Sequence, residues 1–397
     1  MLSYIKNPAI QTDFSRDPHL SYFSLTVSEK VRDFHKSLDG YAPTPLIKLE
    51  SMARKLNVAE ITVKDESKRF GLNAFKALGA SHAVFTILSN HLGLEKKAFN
   101  FSNLKNKIQK KRESIPVLIT ATDGNHGRAV AWAAEKLGLK AVVYMPKGTK
   151  EARIKAIEDE GADVFVIDGN YDDAVHLAGD AAEKNGWILV QDTAEKKDDP
   201  MGIAIMQGYM TILSEVLDAP NHLPPTHVFA QCGVGSFSGS LLGYLVNRFG
   251  SERPFFTVVE PEKAACYYLS IKEEKKNPLR VTGALDTIMA GLACGEANML
   301  SWHILSRYAD CFVSLSDEFT EAGMRLFHHP LGGDPKIISG ESGAVTLGLA
   351  HSILNSKSKE MDVLRKSMGI NEKSRILLIS TEGDTDPEMY QRIISGP

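Results

Sequence analysis

From Ile115 onward, short apolar runs alternate with longer stretches of helical pattern. The runs Val117–Ala121, Ala141–Met145, Val164–Ile167 and Ile188–Val190 have the character of buried strands. Between them lie Ala129–Leu137, Lys150–Glu160 and Asp172–Lys184, which carry helical patterning. A second set follows as strand His227–Gln231, helix Ser238–Val246 and strand Phe256–Val259. A late run, Ile376–Ser380, reads as one more buried strand running into a Gly/Asp-rich turn. Strand, turn and helix repeated in this way predict right-handed βαβ units around a parallel sheet. The fold class is therefore α/β, in two blocks. The smaller is placed at residues 88–193, and residues 1–87 and 194–397 form a larger, discontinuous one.

Composition changes this picture little. The chain has 397 residues, 43% hydrophobic and 24% charged, and a formal net charge of −3. That is ordinary globular content, with no overall field to favour nucleic acid or an anionic membrane. No apolar run approaches the ~20 residues a spanning helix needs. The first residues lack the shape of a secretory leader, so a cytoplasmic enzyme is expected. Cys232, Cys266, Cys294 and Cys311 are widely spaced, which argues against metal chelation and a disulfide framework. A single Cys266–Cys294 pairing stays open beside four reduced thiols. The basic run Lys105–Arg112 has no interleaved aromatics and reads as a solvated loop or helix face. No metal site is expected, and the adjacent pair His328-His329 lacks ligand spacing.

Three segments carry chemistry. In Leu72-Asn-Ala-Phe-Lys76-Ala-Leu-Gly, a lysine among apolar neighbours opens an amphipathic helix just after the charged turn Lys64–Arg69. Desolvation would lower its pKa and free the amine to attack a carbonyl, although most such lysines reach water. In Thr120-Ala-Thr-Asp-Gly-Asn-His-Gly127, small and polar residues turn a strand into a helix. Backbone N–H groups there suit a carboxylate; the plainer reading is helix capping by Asp123 or Asn125. In Gln231-Cys-Gly-Val-Gly-Ser-Phe-Ser-Gly239, glycines and Ser236 can cradle a phosphate. Its G-x-G-x-x-x-G spacing is one residue longer than the dinucleotide fingerprint. Glu260 ends the next strand near where a ribose-binding acid would sit. A nicotinamide-dependent oxidoreductase using the Gly233–Gly239 loop is thus a rival reading, one that leaves the Lys76 and Asp123 segments unexplained.

Taken together and in this order, the three segments resemble those of the fold-type II pyridoxal-phosphate (PLP) enzymes. That group includes threonine deaminase, serine racemase and the tryptophan synthase β subunit. Further blocks resemble the diaminopropionate ammonia-lyases: Tyr41–Leu46, Ala121–Arg128, Gln191–Ala194, Ile205–Tyr209, Thr287–Glu296, Ser339–Ala344 and Ser380–Pro387. The resemblance implies two three-layer α/β domains with mostly parallel sheets, PLP as cofactor, an amino-acid substrate and a homodimer.

Carried over residue by residue, it makes Lys76 the Schiff-base lysine and Asn125 the partner of the cofactor's phenolic oxygen. Gly233, Val234, Gly235 and Ser236 would hold the phosphate through main-chain donors. Ser380 or Thr381 would offer a hydroxyl to the ring nitrogen, with Ser380 favoured by alignment. A neutral hydroxyl there suits elimination over transamination. Asp123 stands where serine racemase carries its second-face serine. A carboxylate there can take a proton from the face away from Lys76, and with Asp192 it can attract a cationic second amine. The implied reaction is elimination of ammonia from D- and/or L-2,3-diaminopropionate, giving pyruvate and two ammonia. One block departs. Glu195-Lys-Lys-Asp-Asp-Pro200 replaces the aromatic W-E-G-Y-like stretch usual after Asp192-Thr-Ala194, which keeps a serine/threonine dehydratase or an amino-acid racemase as alternatives.

Overall fold

The computed structural model describes residues 2–94, 100–111, 115–122, 124–194 and 196–396. Among these residues the strands, in chain order, are β1 (Leu2–Lys6), β2 (Leu46–Lys48), β3 (Glu60–Asp65), β4 (Leu118–Ala121), β5 (Ala141–Met145), β6 (Asp163–Val166), β7 (Ile188–Leu189), β8 (His227–Gln231), β9 (Phe255–Pro261), β10 (Cys311–Leu315) and β11 (Arg375–Ser380). They form two sheets. The smaller, β6-β5-β4-β7, is parallel throughout. The larger runs β1-β10-β9-β8-β11-β3-β2; its interior is parallel, and β1 and β2 close the edges antiparallel. Every residue of β8 and β10 is buried, as expected of parallel strands covered by helices on both faces. The α/β architecture is thus the expected one. No described helix is long and apolar enough to cross a membrane.

The expected strands and helices from residue 117 to 260 all form, with ends shifted by a few residues. Strands β1, β2, β3 and β10 are additions. β3 ends in Lys64 and Asp65, so part of the expected charged turn is buried strand. The lysine helix, Ala77–His91, is not amphipathic: it is buried on almost every side. It lies against the helix Pro200–Leu217 at a separation set by glycine. A Cβ on Gly208 would sit 2.3 Å from the Leu78 carbonyl oxygen and 2.7 Å from the Gly79 Cα, both unyielding backbone. The basic run falls on the helix Phe101–Lys110, which turns Leu104 and Ile108 inward and leaves Lys110 exposed; Arg112 lies outside the described residues.

Below the lysine segment sits a buried four-charge cluster. Glu215 Oε2 takes Lys64 Nζ at 2.5 Å, and Glu215 Oε1 takes Arg69 Nη1 at 2.8 Å. Arg69 also grips Glu66 through Nε and Nη2 at 2.9 and 2.8 Å. None of the four side chains is more than 2% exposed. Two cations and two carboxylates cancel, and Tyr41 and Thr44 fill remaining acceptor sites at 2.8 and 2.6 Å. Such a neutral set tolerates burial only while complete. Burial pushes the Glu215 carboxyl up, but Arg69 and Lys64 outweigh it and hold it well below the ordinary carboxylate range. Its stabilising effect is present above that ordinary range and is lost as pH falls below it. Glu215→Gln should therefore cost roughly 3–5 kcal/mol in denaturant unfolding at neutral pH. The gap to the unaltered protein should narrow in acid; a gap independent of pH would contradict the ionic account.

Candidate active site

Parallel α/β sheets bind ligands beyond the carboxyl ends of their strands. Here the ends of β4, β7, β8 and β11 face one cavity of about 310 Å³. Its wall includes Lys76, Thr122, Asn125, His126, Asp192 and Tyr209. It also includes the Gly233–Phe237 turn, Cys294, Ser342, Thr381 and Glu382. The structure thus gathers seven of the expected site residues: Lys76, Asn125, Asp192, Gly233, Val234, Gly235 and Ser236. Thr381 makes an eighth. Asp123 lies outside the described residues.

Lys76 stands at the N-cap of its helix and forms an ion pair with Asp192 Oδ2. Asp192 follows β7, so the pair spans the cleft between the two sheets. Burial alone would strip the Lys76 proton, but the Asp192 charge outweighs it and holds the ammonium above the usual lysine range. Burial likewise pushes the Asp192 carboxyl up. The Lys76 ammonium and the His126 ring, 3.8 Å away, prevail and bring it down to about 2. At neutral pH both groups are charged.

The glycine turn has the shape an anion needs. Gly235 adopts φ +93°, and a Cβ there would fall 2.0 Å from the Tyr267 hydroxyl. It precedes the helix Ser236–Phe249, whose first N–H groups have no side-chain cap. The Ser236 hydroxyl is occupied, donating to the Asp192 carbonyl at 2.8 Å and accepting from Asn298 at 3.1 Å. Only main-chain donors at Ser236 are therefore left for a ligand. The buried Tyr209 hydroxyl and Ser342 hydroxyl, both in the cavity wall, have no hydrogen-bond partner among the described residues. Orphaned donors beside an uncapped helix start and a lone lysine amine fit a polar, phosphorylated aldehyde.

The hydroxyls at the end of β11 are sorted by strand alternation. Thr381 lines the cavity; it accepts from Gln231 Nε2 at 3.0 Å, which leaves its own proton to donate. Ser380 is fully buried and does not line the cavity; its hydroxyl bonds to that of Ser339 at 2.8 Å. Glu260, the candidate ribose-binding acid, is also committed. It caps a helix by accepting from the Tyr267 and Tyr268 N–H groups at 2.9 and 2.7 Å, and burial holds its carboxyl up at about 8. No free carboxylate stands there for a ribose. All four cysteines are free. In the divergent block, Asp199 caps the helix Pro200–Leu217 through the Gly202 N–H at 2.8 Å. Residues 196–199 form the turn that leads into that helix, and neither they nor Pro200 line the cavity; Glu195 lies outside the described residues.

Sequence reasoning passed over Glu382, Tyr209, Ser342 and Asn298. Asn298 caps the helix Met299–Tyr308 and ties Ser236 to Asp192. Its N-cap position before a helical run was the available signal.

Comparison with known proteins agrees with this geometry. Residues 38–364 match the family model described as pyridoxal-phosphate dependent enzyme. A diaminopropionate ammonia-lyase of Salmonella typhimurium is 45% identical over 379 residues, covering 94% of this chain and 93% of that protein. The crystal structure of holo diaminopropionate ammonia lyase from Escherichia coli superposes with a TM-score of 0.91 at 41% identity, covering 99% of this chain and 96% of that one. The same Escherichia coli enzyme in complex with an aminoacrylate-PLP azomethine reaction intermediate gives 0.88 at 40%, covering 99% and 97%. A lysine amine, an uncapped glycine turn and a matching relative along nearly the full length converge: this chain belongs to the pyridoxal-phosphate-dependent enzymes and, among them, to the diaminopropionate ammonia-lyase family.

Proposed function

We propose that this protein eliminates ammonia from D- and L-2,3-diaminopropionate, yielding pyruvate and two ammonia. The observation that carries the reading is Lys76 ion-paired with Asp192 inside a cavity floored by the Gly233–Ser236 turn. When bound, pyridoxal phosphate withdraws electrons from the substrate Cα, so that its proton can be removed and a β-amine can leave. Main-chain N–H groups from Gly233 to Ser236 would hold the phosphate, and the Lys76 amine would hold the aldehyde. Thr381, which lines the cavity where Ser380 does not, would offer its hydroxyl to the ring nitrogen. The uncapped start of the helix Asn125–Leu137 suits the substrate carboxylate.

Each proton then has a place. Lys76 takes the Cα proton from the L isomer, and Asp123 takes it from the opposite face for the D isomer. Asp192 keeps its negative charge once Lys76 is engaged and faces a cation-bearing substrate. A second amine on the substrate answers that charge, whereas the hydroxyl of serine or threonine does not. The departing β-amine leaves as ammonia, and water converts the released enamine to pyruvate and a second ammonia. The four free thiols suit a reducing compartment and support a cytoplasmic setting. Family membership supports a homodimer.

Pyruvate release from D- and L-diaminopropionate, measured against serine and threonine, is the direct test. Both diamino isomers should be strongly preferred; equal turnover of serine would overturn the substrate assignment. Asp123→Asn should lower turnover of the D isomer by about 10²–10⁴-fold while largely sparing the L isomer. Equal loss on both isomers would refute bases divided between the faces. Asp192→Asn removes the charge that holds the Lys76 proton, so burial should then lower the amine's pKa. The rate at which apoprotein takes up PLP should accordingly begin to rise at lower pH than in the unaltered protein. An onset at the same or higher pH would refute the electrostatic coupling.

A further inference from the structure

Both oxygens of the Glu382 carboxylate are used within the protein. Oε1 accepts from the Ser342 backbone N–H at 3.0 Å, and Oε2 accepts from Asn125 Nδ2 at 2.5 Å. The residue is 5% exposed and lines the cavity. Its main chain is equally tied. The carbonyl accepts from Gly340 N–H at 3.0 Å, and Glu382 bridges to Ala74, two residues before Lys76. The side chain passes close over Gly340, where a Cβ would fall 3.2 Å from Glu382 Cγ and 2.3 Å from the Gly383 carbonyl oxygen. Glu382 therefore joins the lysine segment, the Asn125 turn and the start of the helix Glu341–Asn355.

Burying a carboxylate for two hydrogen bonds demands a reason. Each bond comes from a donor, an amide N–H at one end and a backbone N–H at the other. A glutamine offers one acceptor oxygen and would set its NH₂ against the second donor. Only an ionised carboxylate accepts at both ends. The bond from Nδ2 also decides which end of the Asn125 amide is which, and so where its second N–H points. Glu341 on the adjoining helix feels the Glu382 charge and also those of Asp386 and Arg153, while Lys76, Asp192, His126, Tyr209 and Cys294 share the cavity with Glu382. Burial, and then the Glu382 charge, push the Glu341 carboxyl up to about 7.

We infer that Glu382 is a positioning residue for the cofactor. Its carboxylate fixes the Asn125 amide so that the second Nδ2–H is presented to the cofactor's phenolic oxygen, and its charge favours the protonated form of the Lys76–cofactor linkage. The inference rests on the roles given above to Lys76 and Asn125.

The test uses the PLP-loaded enzyme and two readouts besides turnover: the pH titration of the bound cofactor's visible absorbance, and the cofactor dissociation constant. Glu382→Gln should move the titration to lower pH by on the order of half a unit or more, because a negative charge near the linkage is gone. It should also weaken cofactor binding about tenfold, the scale of one charge-assisted hydrogen bond. Glu382→Asp, which keeps the charge, should restore the titration. Asn125→Ala should weaken binding similarly, and the double variant should be no weaker than Asn125→Ala alone. A purely structural Glu382 would change thermal unfolding and leave the titration in place, which would overturn the inference, as would additive loosening in the double variant. Should the Glu382 variants not fold, Asn125→Asp sets carboxylate against carboxylate and should bind PLP less well than Asn125→Ala; equal or tighter binding would overturn it. A wild-type protein that borohydride does not tag at Lys76 refutes the proposed function itself. Tagging at Lys76 with unaltered Glu382 variants refutes this inference alone.

Discussion

The site depends on one charge balance: an ammonium and a carboxylate facing each other across the cleft between two sheets. Lys76 descends from β3 of the larger sheet, and Asp192 from β7 of the smaller one. Neither charge would be stable alone at that depth, since burial acts against both. Paired, they hold two separately built layers in register around one cavity. The pairing also keeps the lysine charged, and a protonated amine is not a nucleophile.

Around that pair, polar side chains of the glycine turn and its neighbours are spent on one another and on the main chain. Ser236 spends its hydroxyl on the Asp192 carbonyl, Asn298 spends its amide on Ser236, and Gln231 anchors Thr381 from beneath. These supports make the turn rigid without filling it. Asp17 does similar work farther out: it accepts from His303 and from the Tyr308 hydroxyl, each at 2.7 Å, and so fastens the N-terminal segment onto the helix that Asn298 caps.

Much of this was legible in the chain, and the exceptions have physical causes. Apolar runs separated by helical patterns located the parallel strands from β4 to β9 and the last strand, because buried parallel strands read as continuous apolar stretches. β3 escaped because Lys64 and Asp65 are buried charges: Lys64 is answered by Glu215 from a helix some 150 positions later, and Asp65 accepts from the Ser67 N–H. β1 is a short edge strand at the chain start, and its pairing with β10 is visible only in three dimensions. The choice between Ser380 and Thr381 turns on strand alternation, where one residue exchanges faces, and no property of the sequence marks which face meets the cavity. Glu382 and Tyr209 gain meaning only when Asn125 and Lys76 are placed beside them.

The order of the larger sheet also bears on how the chain is made. β11 lies in its middle, between β8 and β3, yet it comes from residues 375–380, near the end of the chain. Until those residues leave the ribosome, β3 with β2 and β8 with β9 and β10 are two fragments with open, apolar edges. The smaller sheet, drawn entirely from residues 118–189, can close long before. Synthesis of this enzyme therefore passes through a stage in which the smaller sheet is finished and the larger one exposes pairing edges, the stage at which a chaperone has most to protect.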